Sequence, residues 1–135
     1  MAAKINDALS AEVAEAVRVN EIESISDVVY DAYTPKVYIR RYSDGGLIDE
    51  RNMTARLVSD GKLAVTNDTQ PNPNYRHTAL GNRTVAQAVE TGRGYQFYSP
   101  GARPFTAETV NALKRNREHV AALRAGLRRQ NIDCQ

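Results

Sequence analysis

Cysteine is nearly missing from this chain: Cys134, the penultimate of 135 residues, stands alone. No internal disulfide is open to it. With only His77 and His119 to add, and those far apart, the sequence spells no zinc framework. Tryptophan is absent and phenylalanine occurs twice, so aromatic packing rests on seven tyrosines. No apolar run approaches the ~20 residues that span a bilayer. The opening stretch "MAAKINDALSAEVAEAVRVN" is too polar and too acidic for a secretory signal, and a cytosolic pool with no membrane partner is expected. Net charge is only +2, which gives no strong global field for drawing in polyanions.

The chemistry of catalysis is equally thin. There is no serine-centred G-x-S-x-G, neither histidine has a motif around it, and "GRGYQ" lacks the strand, glycine turn and helix order of a phosphate cradle. The expectation is a protein that is not an enzyme, with no cofactor and no metal.

What is present fits one domain spanning 1–135. The length suits a single hydrophobic core, and 41% hydrophobic with 25% charged residues is ordinary for a folded chain. The first third reads as helix, to about residue 34, with Ile5, Leu9, Val13, Ala16 and Val17, then Ile22, Ile25, Val29 and Ala32 at three-to-four spacing. Ser10 is a candidate N-cap, Asn20 a candidate interruption, and Pro35 ends helical geometry near Tyr33. From Ser10 to Tyr33 such a helix measures about 36 Å at ~1.5 Å per residue, long enough to be expected to project in part.

Asp44-Gly45-Gly46 marks a turn, and Asp60-Gly61 supplies the positive φ angles of a two-residue hairpin between strands at Met53–Ser59 and 62–66. Met53, Ala55 and Leu57 share one face, as do Leu63 and Val65. Residues 67–83, "NDTQPNPNYRHTALGN" and Arg83, read as a flexible loop, a candidate partner segment through Asn67, Pro71, Pro73, Tyr75 and Arg76. A short helix follows, with Val85 and Val89 on one side and Gly92 or Gly94 as its stop. A C-terminal helix is expected over 106–131, capped by Thr106, with Phe105 stapled onto Val110 and a stripe of Val110, Leu113, Val120, Leu123 and Leu127. The fold class is α+β: a small antiparallel sheet packed with a long N-terminal, a short middle and a C-terminal helix.

The two long helices carry opposite charge. Glu12, Glu15, Glu21, Glu23 and Asp27 stand on the first; Arg117, Arg124, Arg128 and Arg129 stand on the last. The two can pair within the chain or between subunits, where complementarity fixes register more than it adds affinity. A rival reading lays the basic helix along DNA phosphates as a small accessory protein. Against it, the helix commits one face to packing and lacks interleaved aromatics.

Tyr30, Tyr33 and Tyr38 crowd into "VVYDAYTPKVYIRR" around Pro35 and Arg40. Tyr30 and Tyr33 neighbour each other on a helix, and the chain turns after them, so an architectural corner is expected there rather than a ligand pocket.

This box, Val29, Tyr30, Tyr33, Pro35, Tyr38 and Arg40, resembles the "VY-x-x-Y-x-P-x-x-Y-x-R" of a family of tailed-phage minor structural proteins. Glu90, Gly92 and Gly94 match its "E-x-G-x-G", and Arg103, Pro104 and Phe105 match the "RPF" that leads into its last helix. The likeness runs from about Val28 to Ile132. One departure is Asn131, where that family often has glycine in "L-R-R-Q-G-I". The family is described as morphogenesis, neck or tail-completion proteins. The resemblance implies a virion part at the head–tail junction, assembled in the host cytoplasm. It also implies a ring of identical subunits meeting portal, adaptor or stopper proteins on one side and tail-tube or terminator proteins on the other. Genomic DNA in the channel is a possible non-specific contact.

Overall fold

In the computed structural model, residues 1–32, 40–71, 84–93 and 101–133 are described. The chain opens with a continuous helical rod over residues 2–30, about 43 Å long at ~1.5 Å per residue. It consists of α1 (Ala2–Ala8), a π turn (Leu9–Val13), α2 (Ala14–Ile25) and a second π turn (Ser26–Tyr30), with αR backbone at each junction. Helix formation starts eight residues before Ser10, which therefore lies inside the first π turn and caps nothing. Asn20 does not interrupt the rod; it is buried in the middle of α2.

The π turns organise the rod's faces. In an α-helix a step of four residues overshoots one turn by about 40°, so a four-residue lane spirals round the surface. The wider π turn undershoots and cancels that drift. Over the whole rod three lanes consequently drift less than in an uninterrupted α-helix. Ala8, Asn20 and Ser24 are buried on one; Val13, Glu21, Ile25 and Val29 are buried on the next. Asp7, Ala11, Glu15, Val19, Glu23, Asp27 and Asp31 form the third, and all seven are exposed.

Strands β1 (Met53–Ser59) and β2 (Lys62–Asn67) pair antiparallel, Ala55 opposite Val65 and Leu57 opposite Leu63, with an irregularity at Val58. Gly61 (φ 75°) supplies the turn that Asp60-Gly61 announces. The hairpin lies along the rod. The Asn6 side chain donates to Asp60 Oδ1 at 2.9 Å and accepts from the Gly61 N–H at 2.9 Å, and Arg18 Nε donates to Met53 O at 3.0 Å. The inward face is deep at Met53, which joins the main core, and shallow at Leu57, 37% exposed.

Helix α3 (Val85–Thr91) has a complete capping box between Thr84 and Gln87 and stops at Gly92, φ 72°. The C-terminal segment forms two helices rather than one: α4 (Phe105–Asn116) and α5 (Glu118–Arg129), separated by Arg117 in the left-handed conformation. Phe105 begins α4 one residue earlier than expected and is 1% exposed in the main core, whereas Val110 is 45% exposed. The expected staple between them is therefore replaced by burial of Phe105. Thr106 falls inside the first turn, where its N–H donates to Glu90 Oε1 at 2.6 Å; a carboxylate from α3 does the capping.

The core joins Ile25 and Val29 of the rod to Leu47, Met53, Ala86, Val89 and Phe105, with Ile22, Tyr30, Ile48 and Val85 packed around it. The architecture is α+β: one two-stranded antiparallel sheet with helices from both ends of the chain.

Candidate functional site

The rod and α5 meet along a seam of small residues. Gly126 is buried against Ala8; a Cβ placed there would stand 2.6 Å from Ala8 Cβ and 3.0 Å from Ala8 Cα. Only glycine permits this approach. Just beyond it, Arg129 donates to both Asp7 and Glu12. Arg129 thereby holds the Glu12 carboxyl below its ordinary range, against a smaller opposing effect of burial. Of the residues expected at a subunit interface, Glu12 and Arg129 are thus joined within one chain. The seam is further tied by Gln130 Nε2, which donates to Lys4 O at 2.8 Å.

A second junction explains the break at Arg117. Asn20, 1% exposed, donates through Nδ2 to Glu118 Oε2 at 2.7 Å and to Ala16 O at 2.8 Å. Its Oδ1 accepts from Asn116 Nδ2 at 2.8 Å, while Asn116 Oδ1 accepts from the Glu118 N–H at 2.9 Å. Asn116 and Glu118 flank Arg117, so one buried amide on the rod clamps both sides of the corner.

A third junction takes Glu21 away from the surface. It is buried and accepts from Asn67 Nδ2 at 3.2 Å; Asn67 also donates to Leu47 O at 2.9 Å. Burial pushes the Glu21 carboxyl up, the Asn67 hydrogen bond opposes this, and the charge of Glu90 adds to it. Glu21 is therefore turned into the fold and is not available to a second subunit. Asn67 closes β2 and Thr69 is fully buried, so the expected partner loop starts later than Asn67. Pro71 is half-buried; Pro73, Tyr75 and Arg76 lie outside the described residues.

At the tyrosine corner, Tyr30 and Arg40 come together: Arg40 Nη1 donates to Tyr30 O at 3.1 Å, and its guanidinium sits 4.7 Å from the Tyr30 ring centre. Tyr42, unremarked in the sequence, meets the Tyr30 ring edge-to-face at 4.8 Å between centres. Burial raises the Tyr30 hydroxyl above its usual range, and backbone hydrogen bonding from Ile48 works against it. Tyr33, Pro35 and Tyr38 lie outside the described residues. Beside the corner, buried Asp49 accepts from the Gly45 N–H at 2.7 Å and from Arg51 Nη2 at 2.6 Å. The Arg51 guanidinium holds the Asp49 carboxyl far below the ordinary carboxylate range.

Two charged faces lie exposed on the surface. On the rod's exposed lane, Glu15, Glu23 and Asp27 make no side-chain hydrogen bond or ion pair among the described residues. On α5, at roughly 100° per residue, Ala121, Arg124 and Arg128 point opposite Gly126, away from the rod, with Arg117 one turn before them. All four are exposed.

Elsewhere, the outer face of the hairpin forms an open hollow of about 310 Å³ lined by Thr54, Arg56, Ala64, Thr66 and Asp68. Among the described residues no group of three or more His, Cys, Asp or Glu is placed to hold a metal ion, and no helix is long and apolar enough to cross a membrane.

Sequence reasoning missed Gly126, Asn20 as a clamp, and Tyr42. An isolated glycine within a helical pattern was the available signal for the first. Nothing local marks the second, whose partners stand almost a hundred residues away.

No curated protein and no solved structure matches this chain. A family match does cover residues 1–129, to YomN, a phage-derived protein of a Bacillus SPbeta-like prophage. That origin agrees with the phage resemblance carried by the tyrosine box. The chain belongs to the YomN family.

Proposed function

We propose that this protein is a structural component of a tailed-phage virion, forming or joining a ring at the head–tail interface and completing the surface to which the tail attaches. It acts without catalysis or cofactor, is assembled in the host cytoplasm, and resides at the junction in the particle. Its partners are its own copies, portal, adaptor or stopper rings toward the head, and tube or terminator proteins toward the tail.

The observation that carries this reading is the presence of two unlike charged faces on one tightly cross-tied chain. Closed rings are built from heterologous contacts, in which one face of a subunit meets a different face of the next. Here the rod presents carboxylates outward and α5 presents guanidinium groups outward, while Asn20, Gly126 and Arg129 fix the two helices to each other. The family's phage origin supplies the setting.

Immunogold labelling of purified particles tests the proposal. Gold at the head–tail joint is the expected result. Label over the capsid shell, or none on washed particles that still carry tails, would reject it.

A further inference from the structure

We infer that the carboxylate lane of the rod docks on the guanidinium face of α5 in a second copy of this chain, head to tail. The inference rests on the ring reading above and names the two faces that make the contact.

Three observations carry it. First, the lane is continuous. Glu15, Val19 and Glu23 follow one another at four-residue steps through α2, Asp27 continues the series into the second π turn, and all four are exposed. A continuous exposed lane is what a second helix can lie against. Second, both surfaces have the same make-up. Carboxylates on the rod are separated by small or apolar residues, Ala11 and Val19, and arginines on α5 by Ala121 and Ala125. Val19 is 39% exposed at the centre of its lane, an apolar contact point between charges. Third, the faces cannot satisfy each other within one chain. Gly126 of α5 lies against Ala8 of the rod, which turns Arg124 and Arg128 to the far side. An acidic face and a basic face on different sides of one subunit form a heterologous contact, each copy leaving one of each for the next.

Charge complementarity of this kind rejects the isologous alternatives, in which the same face of two copies meets and like faces like. It also makes the contact weaken as salt screens it.

A charge-swap pair tests the inference in purified protein. One variant carries Glu15→Lys, Glu23→Lys and Asp27→Lys; the other carries Arg117→Glu and Arg124→Glu. Sedimentation velocity at low salt should show self-association of the unmodified chain, reversed by added salt. Each variant alone should associate more than about a hundredfold more weakly, since like charges then face each other. Mixed in equal amounts, the two should associate again, because every acidic face then meets a basic one. Failure of the mixture to recover, with both variants folded by circular dichroism, would overturn the pairing. So would a single variant that associates as the unmodified chain does, or an unmodified chain that stays monomeric at low salt while binding duplex DNA through Arg117 and Arg124. Should a charge-reversed chain fail to fold, the Gln versions of the same three acidic residues are read instead, and association unchanged in them counts equally against the pairing. Loss of the pairing with gold still at the joint would remove this contact and leave the head–tail reading standing. The reverse result would do the opposite.

Discussion

Asn20 is the residue on which the C-terminal half is hung. Its amide fills a buried site and bonds three partners, Ala16 O, Glu118 and Asn116, so removing it takes all three hydrogen bonds away. Asn20→Ala should cost about 1–3 kcal/mol of stability, at about 1 kcal/mol for each hydrogen bond lost. Thermal denaturation reads it directly, and an unchanged melting temperature would show that the clamp is ornamental. Asn131 gives the opposite case. It occupies the left-handed position after α5 (φ 64°), with Ile132 N–H donating to Leu127 O and Asn131 N–H to Arg128 O, both at 2.9 Å. That is a Schellman ending, in which glycine carries no Cβ penalty and asparagine is the next choice. The departure from the resembled family's glycine therefore changes the cap's cost and not its shape. Asn131→Gly should raise stability by up to about 1 kcal/mol, seen as a higher melting temperature.

Between elements, the close seam of α1 and α5 is the sharpest constraint. In a free helix Gly→Ala gains about 1 kcal/mol of propensity. At position 126 the added methyl meets Ala8 at 2.6 Å, so Gly126→Ala should instead destabilise by about 1–3 kcal/mol, as overpacking does. Ala8→Gly in the same chain should recover part of the loss. If Gly126→Ala proves stabilising, the seam is looser than described.

The elements also show how far the sequence could be read. The Asp60-Gly61 turn, the Gly92 stop and the periodic helices are written locally, in residues whose backbone preferences act over one or two turns. The break at Arg117 is not: it needs Asn20 from the opposite end of the chain. The two π turns leave no mark beyond the lanes they align, and the burial of Glu21 follows from Asn67 at the far end of the hairpin. Of the candidate site, the acidic and basic helices were legible by counting charges. Which charges are spent internally, as Glu12 and Arg129 are, depends on three-dimensional placement.

For the whole molecule, acidity tests how those carboxylates are held. Asp49 and Glu12 have lowered folded pKa values, so the stability each contributes is complete above the unfolded carboxylate range and is lost as pH falls through the folded value. Glu21 has the reverse sign. Its raised folded value makes folding less favourable as pH climbs from its ordinary 4.5 toward the folded value. Glu21→Gln keeps an oxygen for Asn67 and removes the buried charge. It should raise the melting temperature at pH 7, with the gain vanishing below about pH 4. A gain that persists unchanged in acid would assign it to packing instead.

At the same scale lies the claim on which the rest depends, that this chain completes the head–tail junction. Electron microscopy of particles made when its gene is disrupted in the phage tests that most directly. DNA-filled heads accumulating beside separate, finished tails are the expected result. Intact, infectious virions in normal numbers would contradict it.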